Sequence, residues 1–176
     1  MNAPNETVYA YIDAANLEKG VARLGWKLDY ARFRKWLTDK YDVKIAYLFM
    51  GMILEYADIY SEFQKAGFVL IFKEAVRHKS GAIKSNCDTD LVLQATRDAF
   101  ESPDCKAVLV SSDGDFACLV RFLKSRSQFK MLISPDQRCS YLLRKLYVPT
   151  LYLNTQMENV CIDPKKEKAL DGDKTP

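Results

Sequence analysis

The chain has 176 residues, 48% of them hydrophobic, and carries 26 Lys and Arg against 23 Asp and Glu for a net charge of +3. That length suits one α/β-sized domain with a real core, and so small a charge excess does not demonstrate nucleic-acid binding, although a local basic patch can still provide it. The five cysteines, Cys87, Cys105, Cys118, Cys139 and Cys161, are odd in number and include no C-x-x-C pair, so neither a disulfide framework nor a zinc knuckle is indicated.

The opening MNAPNETVYAYIDAAN has no basic start and reaches Asp13 and Asn16 before a long apolar stretch develops, which predicts a cytoplasmic protein without a signal peptide. TVYAYI, Thr7 to Ile12, reads as a first strand. Asp29 is a predicted N-cap for a helix through Tyr41, with Phe33, Trp36 and Leu37 spaced to face a core. VKIAYLFM, Val43 to Met50, follows as a strand. The greasy run around it, IAYLFMGMIL from Ile45, falls short of the roughly 20 residues a membrane span needs. Ile53, Tyr56, Ile59, Tyr60 and Phe63 mark a helical face that ends near Gly67, and FVLIF, Phe68 to Phe72, is a buried strand. A polar segment from Lys73 to Asn86 leads to a helix from Asp88 to Phe100. Next come a strand from Ala107 to Ser112, a helix from Phe116 to Lys124 and a strand from Phe129 to Ser134. A helix from Arg138 to Leu146 and a last strand from Thr150 to Leu153 complete the series.

Strands alternating with helices predict an α/β fold with a mostly parallel sheet. Residues 1–160 are expected to form the single domain. Residues 161–176 read as a disordered tail, because DPKKEKALDGDKTP mixes both charge signs with few apolar residues.

Candidate chemistry sits where strands end, since open α/β sheets bind ligands beyond the carboxyl ends of neighbouring strands. Asp13 directly follows the first strand in IDAAN, and Asp113 follows the fourth in SSDGDF with Asp115 two residues on. If the strand order is 3-2-1-4-5, the first and fourth strands are neighbours and their carboxylates meet. Asp88 shares a helix face with Val92, Ala95 and Ala99, whereas Asp90 lies with Gln94, Arg97 and Glu101. Asp88 is therefore the favoured inward carboxylate and Asp90 the second candidate. Converging carboxylates repel unless they share a cation, and a hard divalent ion such as Mg2+ or Mn2+ resolves the conflict. Ions held this way promote in-line displacement at a phosphodiester without a histidine, and the chain has only His78. Each aspartate taken singly has an ordinary alternative as a turn former or helix N-cap. Lys73, Arg77, Lys79 and Lys84 precede Asp88, which favours phosphate contact, although a charge run is also what a solvated loop carries. The aromatic residues fall at core spacing, and no base-stacking residue is picked out among them.

The ordered combination of YIDAAN, KSNCDTDLVLQ and SSDGDF resembles the LabA-like NYN domain family of the PIN-like nuclease superfamily, over Thr7 to Leu153. The resemblance implies a three-layer α/β/α, PIN-like (Rossmann-like) fold and a metal-dependent ribonuclease. It implies Asp13, Asp88 and Asp113 as the core acidic residues and Asp115 as a supporting one. Asn16 is implied as a polar organiser with Ser112 beside it, and Lys84 matches a frequent family lysine. Ala14 and Ala15 depart from the more usual glycine or polar residues, and SNC precedes Asp88. The implied partner is RNA, single-stranded or structured; no membrane partner is expected, and a homodimer stays open. The alternative is a non-catalytic RNA-binding or regulatory module that keeps the acidic pocket. An aspartyl-phosphate phosphatase would need an aspartate where Ala15 stands, and neither a G-x-G-x-x-G turn nor a P-loop is present.

Overall fold

Val8, Ala10 and Ile12 alternate with Tyr9 and Tyr11 along the first strand, β1 (Thr7–Asp13), and the two sets enter different hydrophobic clusters. A strand apolar on both faces belongs between two layers of helices. The computed structural model describes residues 6–53, 56–74, 76–77, 83–84 and 87–162, with the backbone alone at 74, 76, 77, 83 and 84.

Helix α1 (Ala14–Arg23) follows β1 without a loop, capped by Asp13. The sequence reading assigned no helix here, although Leu17 and Val21 are buried on one face; Gly20 inside the run weakened the signal. Helix α2 (Tyr30–Tyr41) begins where Asp29 accepts the Arg32 N–H at 3.0 Å, as its cap predicts. Phe33 and Leu37 are fully buried beneath it, each contributing about 1.5–3 kcal/mol. Strand β2 (Val43–Met52), helix α3 (Ala57–Lys65) and strand β3 (Phe68–Glu74) complete this half, with Gly67 at φ 95° making the turn into β3.

The segment read as a polar connection contains a short antiparallel ladder, β4 (Val76–Arg77) with β5 (Ile83–Lys84). Two residues per strand are too few for periodicity to reveal. Helix α4 (Asp88–Glu101) then leads to strand β6 (Cys105–Val110), two residues earlier at each end than the sequence suggested. Ser111 and Ser112 therefore lie beyond the strand. Helix α5 (Ala117–Ser125) is preceded by a 3-10 turn over Gly114–Phe116 and followed by strand β7 (Phe129–Ser134). Helix α6 (Tyr141–Arg144) is shorter than the 138–146 span expected. Buried Cys139 holds the chain in the preceding loop, and Tyr147 at φ 49° with Pro149 beyond prevents extension. Strand β8 (Thr150–Tyr152) and helix α7 (Met157–Val160) close the domain. Cys161 bridges Leu28 and the Ile162 N–H donates to Lys27 O, so these two residues pack with the domain.

The six strands of the main sheet are all parallel in the order β3-β2-β1-β6-β7-β8, extending the expected 3-2-1-4-5 arrangement by one strand. One cluster takes residues of α1, α2, α3 and α7; the other takes residues of α4, α5 and α6. The result is a three-layer α/β/α fold. After β3 the chain returns past β1 to build the other half, so the direction of winding switches between β1 and β6. Helices after these two strands leave on opposite faces and open a crevice there.

Candidate metal centre

Register brings the first two elements of the centre together. Ile12 of β1 is paired with Val110 of β6, which sets Asp13 level with Ser111 just past the strand end. Asp13 continues the face of Tyr9 and Tyr11, the side covered by α4, whose first residue is Asp88. The Asp13 carboxylate accepts the Asn16 N–H at 3.1 Å on one oxygen and the Ser111 hydroxyl at 3.2 Å on the other. Ser111, fully buried, also receives the Asp113 N–H at 3.1 Å on its Oγ, so one hydroxyl joins the two acidic loops. The sequence reading passed over Ser111. Its signal was position: it extends the inward face of Ala107 and Leu109, where an unpaired hydroxyl would be costly.

On the other side of the same loop, Asn16 Oδ1 accepts both the N–H and the hydroxyl of Ser112 at 2.9 Å. This fastens the start of α1 to the start of the acidic loop. Asp113 caps the 3-10 turn, its Oδ1 accepting the Asp115 N–H at 3.0 Å. Between them, Gly114 is required by space rather than by turn conformation, since its φ is not positive. A Cβ at this position would lie 2.4 Å from Ser140 Oγ.

Asp88, Asp113 and Asp115 each offer a carboxylate oxygen, and these three oxygens lie within 4.8 Å of one another. Mg2+ binds oxygen at about 2.1 Å, so two opposite ligands on one ion stand about 4.2 Å apart. A small closure of the side chains brings all three onto one hard cation, and an all-oxygen set matches that chemistry. Asp13 stands beside this trio without joining it. Burial pushes its carboxyl above the ordinary range, the charges of Asp88 and Asp113 push it further, and the Asn16 and Ser111 hydrogen bonds oppose them.

The two aspartates opening α4 have different surroundings. Asp88 faces Asp113 and Asp115, while Asp90 forms an ion pair with Lys73 at 3.1 Å, both side chains about two-fifths exposed. Of the other cations anticipated on the phosphate path, Arg77 and Lys84 fall on β4 and β5, where only the backbone is described, and Lys79 lies outside the described residues. No helix of the described residues is long and apolar enough to cross a membrane.

Behind the centre, Tyr11 donates to Asp98 Oδ2 and Gln94 Nε2 to Asp98 Oδ1, both at 2.9 Å. Asp98 is on α4, ten residues after Asp88, and Tyr11 is two residues before Asp13. This buried network therefore joins the helix and the strand that carry the two acids.

The family model described as the NYN domain matches residues 7–145. In three dimensions the chain resembles a protein of unknown function from Vibrio parahaemolyticus. The two agree with a TM-score of 0.73 at 19% sequence identity, covering 92% of this chain and 100% of the other. At that identity the likeness is one of fold. No curated protein matches the chain.

Proposed function

The chain belongs to the NYN domain family, and from that premise we propose that it is a metal-dependent ribonuclease that hydrolyses RNA phosphodiester bonds. The observation that carries this reading is the approach of three carboxylates, Asp88, Asp113 and Asp115, to within 4.8 Å at the crevice where the winding switches between β1 and β6. These three residues would hold Mg2+ or Mn2+. Such an ion, when bound, supplies Lewis-acid chemistry toward a phosphate and toward the attacking water. Asp13 adds a fourth carboxylate beside the trio, oriented by Asn16 and Ser111. Its raised pKa reflects burial and neighbouring charge that a shared cation would offset. Ser112 and Asn16 hold the acidic loop against α1, and Ser111 spaces Asp13 from Asp113.

A second reading, a non-catalytic RNA-binding or regulatory module, is favoured by one feature. Asp13 and Asp113 are both occupied as caps, a role that needs no ion. Asparagine caps about as well as aspartate, so Asp113→Asn removes the charge while preserving the turn. Under the nuclease reading, Mn2+ affinity measured by titration calorimetry falls at least about tenfold in this variant, and RNA cleavage is lost with it. Equal Mn2+ affinity in the two proteins removes the metal site. RNA that is bound but never cut by the unaltered protein, with Mn2+ present, favours the module.

A further inference from the structure

From Phe116 to Met157 the sequence carries seven Lys or Arg residues and one carboxylate, Asp136, in a chain whose total charge is only +3. Asp136 is buried and ion-paired with Arg23 of α1 at 3.0 Å, so it does not offset the cations outside it. Lys130 of β7 is ion-paired with Glu6, which leaves six cations of this stretch that no carboxylate within it offsets.

The flank formed by α5 and α6 adjoins the acidic centre directly. The Ser140 N–H donates to Ser112 O at 3.0 Å, and the absent side chain of Gly114 lets Ser140 and Leu142 sit against the loop bearing Asp113 and Asp115. At the far end of α6, Lys124 of α5 donates to Leu146 O at 2.8 Å, which makes α5 and α6 one continuous surface. Arg121 of α5, Arg138 in the loop before α6, Arg144 at the end of α6 and Lys145 just after it are exposed, and no ion pair to a carboxylate holds them among the described residues. Tyr141, 68% exposed, stands among them with the Lys145 ammonium 5.8 Å from its ring centroid.

We propose that the α5–α6 flank is a binding surface for single-stranded nucleic acid. Arg138, Arg144 and Lys145 contact phosphates, Tyr141 stacks on a base, and the strand is led from there to the acidic loop. The proposal takes the destination of the strand from the nuclease reading, but the surface is argued from its own charge and aromatic exposure. Cations alone would serve any polyanion. A π-face at the centre of the cationic group selects a ligand that alternates phosphate with a flat, unpaired ring, which an acidic peptide lacks and a duplex keeps inside its stack.

The test measures binding of a fluorescent oligouridylate in chelator, where nothing is cut. Failure here leaves the Asp113→Asn test of the nuclease standing, and failure there leaves this surface standing. Arg138→Ala, Arg144→Ala and Lys145→Ala combined should flatten the salt slope by about 2, at roughly 0.7 per lost single-strand contact. Tyr141→Ala should weaken binding by about five- to 150-fold, and Tyr141→Trp should restore it. Lys35→Ala with Lys44→Ala, on α2 and β2, should leave affinity unchanged. The proposal is overturned if the triple variant keeps the original slope, if the α2 and β2 changes weaken binding equally, or if tryptophan fails to rescue. Binding of polyglutamate as tight as that of the oligonucleotide, or no oligonucleotide binding by the unaltered protein, overturns it too.

Discussion

Gly20 lies in the middle of α1, where alanine would favour the helix by about 1 kcal/mol. Space overrides propensity at this residue. A Cβ at Gly20 would stand 2.3 Å from Pro135 Cβ and 2.8 Å from its Cγ, and a proline ring has no rotamer by which to swing aside. Overpacking of a tight contact typically costs about 1–3 kcal/mol, which exceeds the helix gain. Gly20→Ala should therefore lower unfolding free energy in urea by on the order of 1 kcal/mol. A stabilised variant would show that α1 can move off the β7 end without penalty. Gly114 obeys the same logic against Ser140, but there the neighbour is the end of a serine side chain.

Helix α4 carries two carboxylates in its first turn, both favoured by the helix dipole, so their presence alone does not distinguish a ligand from a helix start. Their directions do. Asp88 points to the Asp113 and Asp115 carboxylates, and Asp90 to Lys73 on β3. Asp88→Asn should reduce Mn2+ affinity about tenfold or more, whereas Asp90→Asn should leave it within about twofold. The Asp90 change should also cost on the order of 1 kcal/mol of stability, because both side chains of its ion pair are partly exposed although Asp90 Oδ2 itself is buried. Calorimetric titration of the two variants decides the matter, and a larger metal effect at Asp90 would reverse the assignment of the helix faces. The Tyr11–Asp98 hydrogen bond, with buried Leu91, Ala95 and Ala99, holds α4 against the sheet with Asp88 toward the acidic loop.

For the molecule as a whole, two apolar layers around one parallel sheet leave the five thiols in very different settings. Burial pushes the Cys105 and Cys139 thiols above their ordinary range, so at pH 8 each holds less thiolate, the reactive form. Cys118 is exposed on α5, and none of the five is joined in a disulfide. Iodoacetamide at pH 8 should therefore label Cys118 in the folded protein and reach Cys105 and Cys139 only on unfolding. Mass spectrometry after denaturation without reductant should count five modified cysteines. A count of three would mean a disulfide, and early labelling of Cys105 or Cys139 would mean that the core opens locally.

The sequence alone carries what is written in short periods. The apolar runs of β1, β2 and β6, the Asp29 cap of α2 and the turn at Gly67 each depend on residues within a few positions of one another, and the parallel α/β order follows from their succession. The aspartates could also be recognised, because three motifs in a fixed order carry them at strand ends and a helix start. Tertiary structure decided which groups meet. Asp88 is distinguished from Asp90 by the way α4 packs on the sheet, where Tyr11 bonds Asp98, 87 residues away in sequence. Ser111 becomes a bridge because β1 and β6 are in register, and Arg23 reaches Asp136 across 113 residues. The basic flank is legible as composition, but its place beside the acidic loop depends on Ser140 fitting against Gly114. Local patterns are imposed by backbone geometry over one or two turns, whereas these contacts exist only once the chain has wound back past its first strand and brought distant segments to a shared edge.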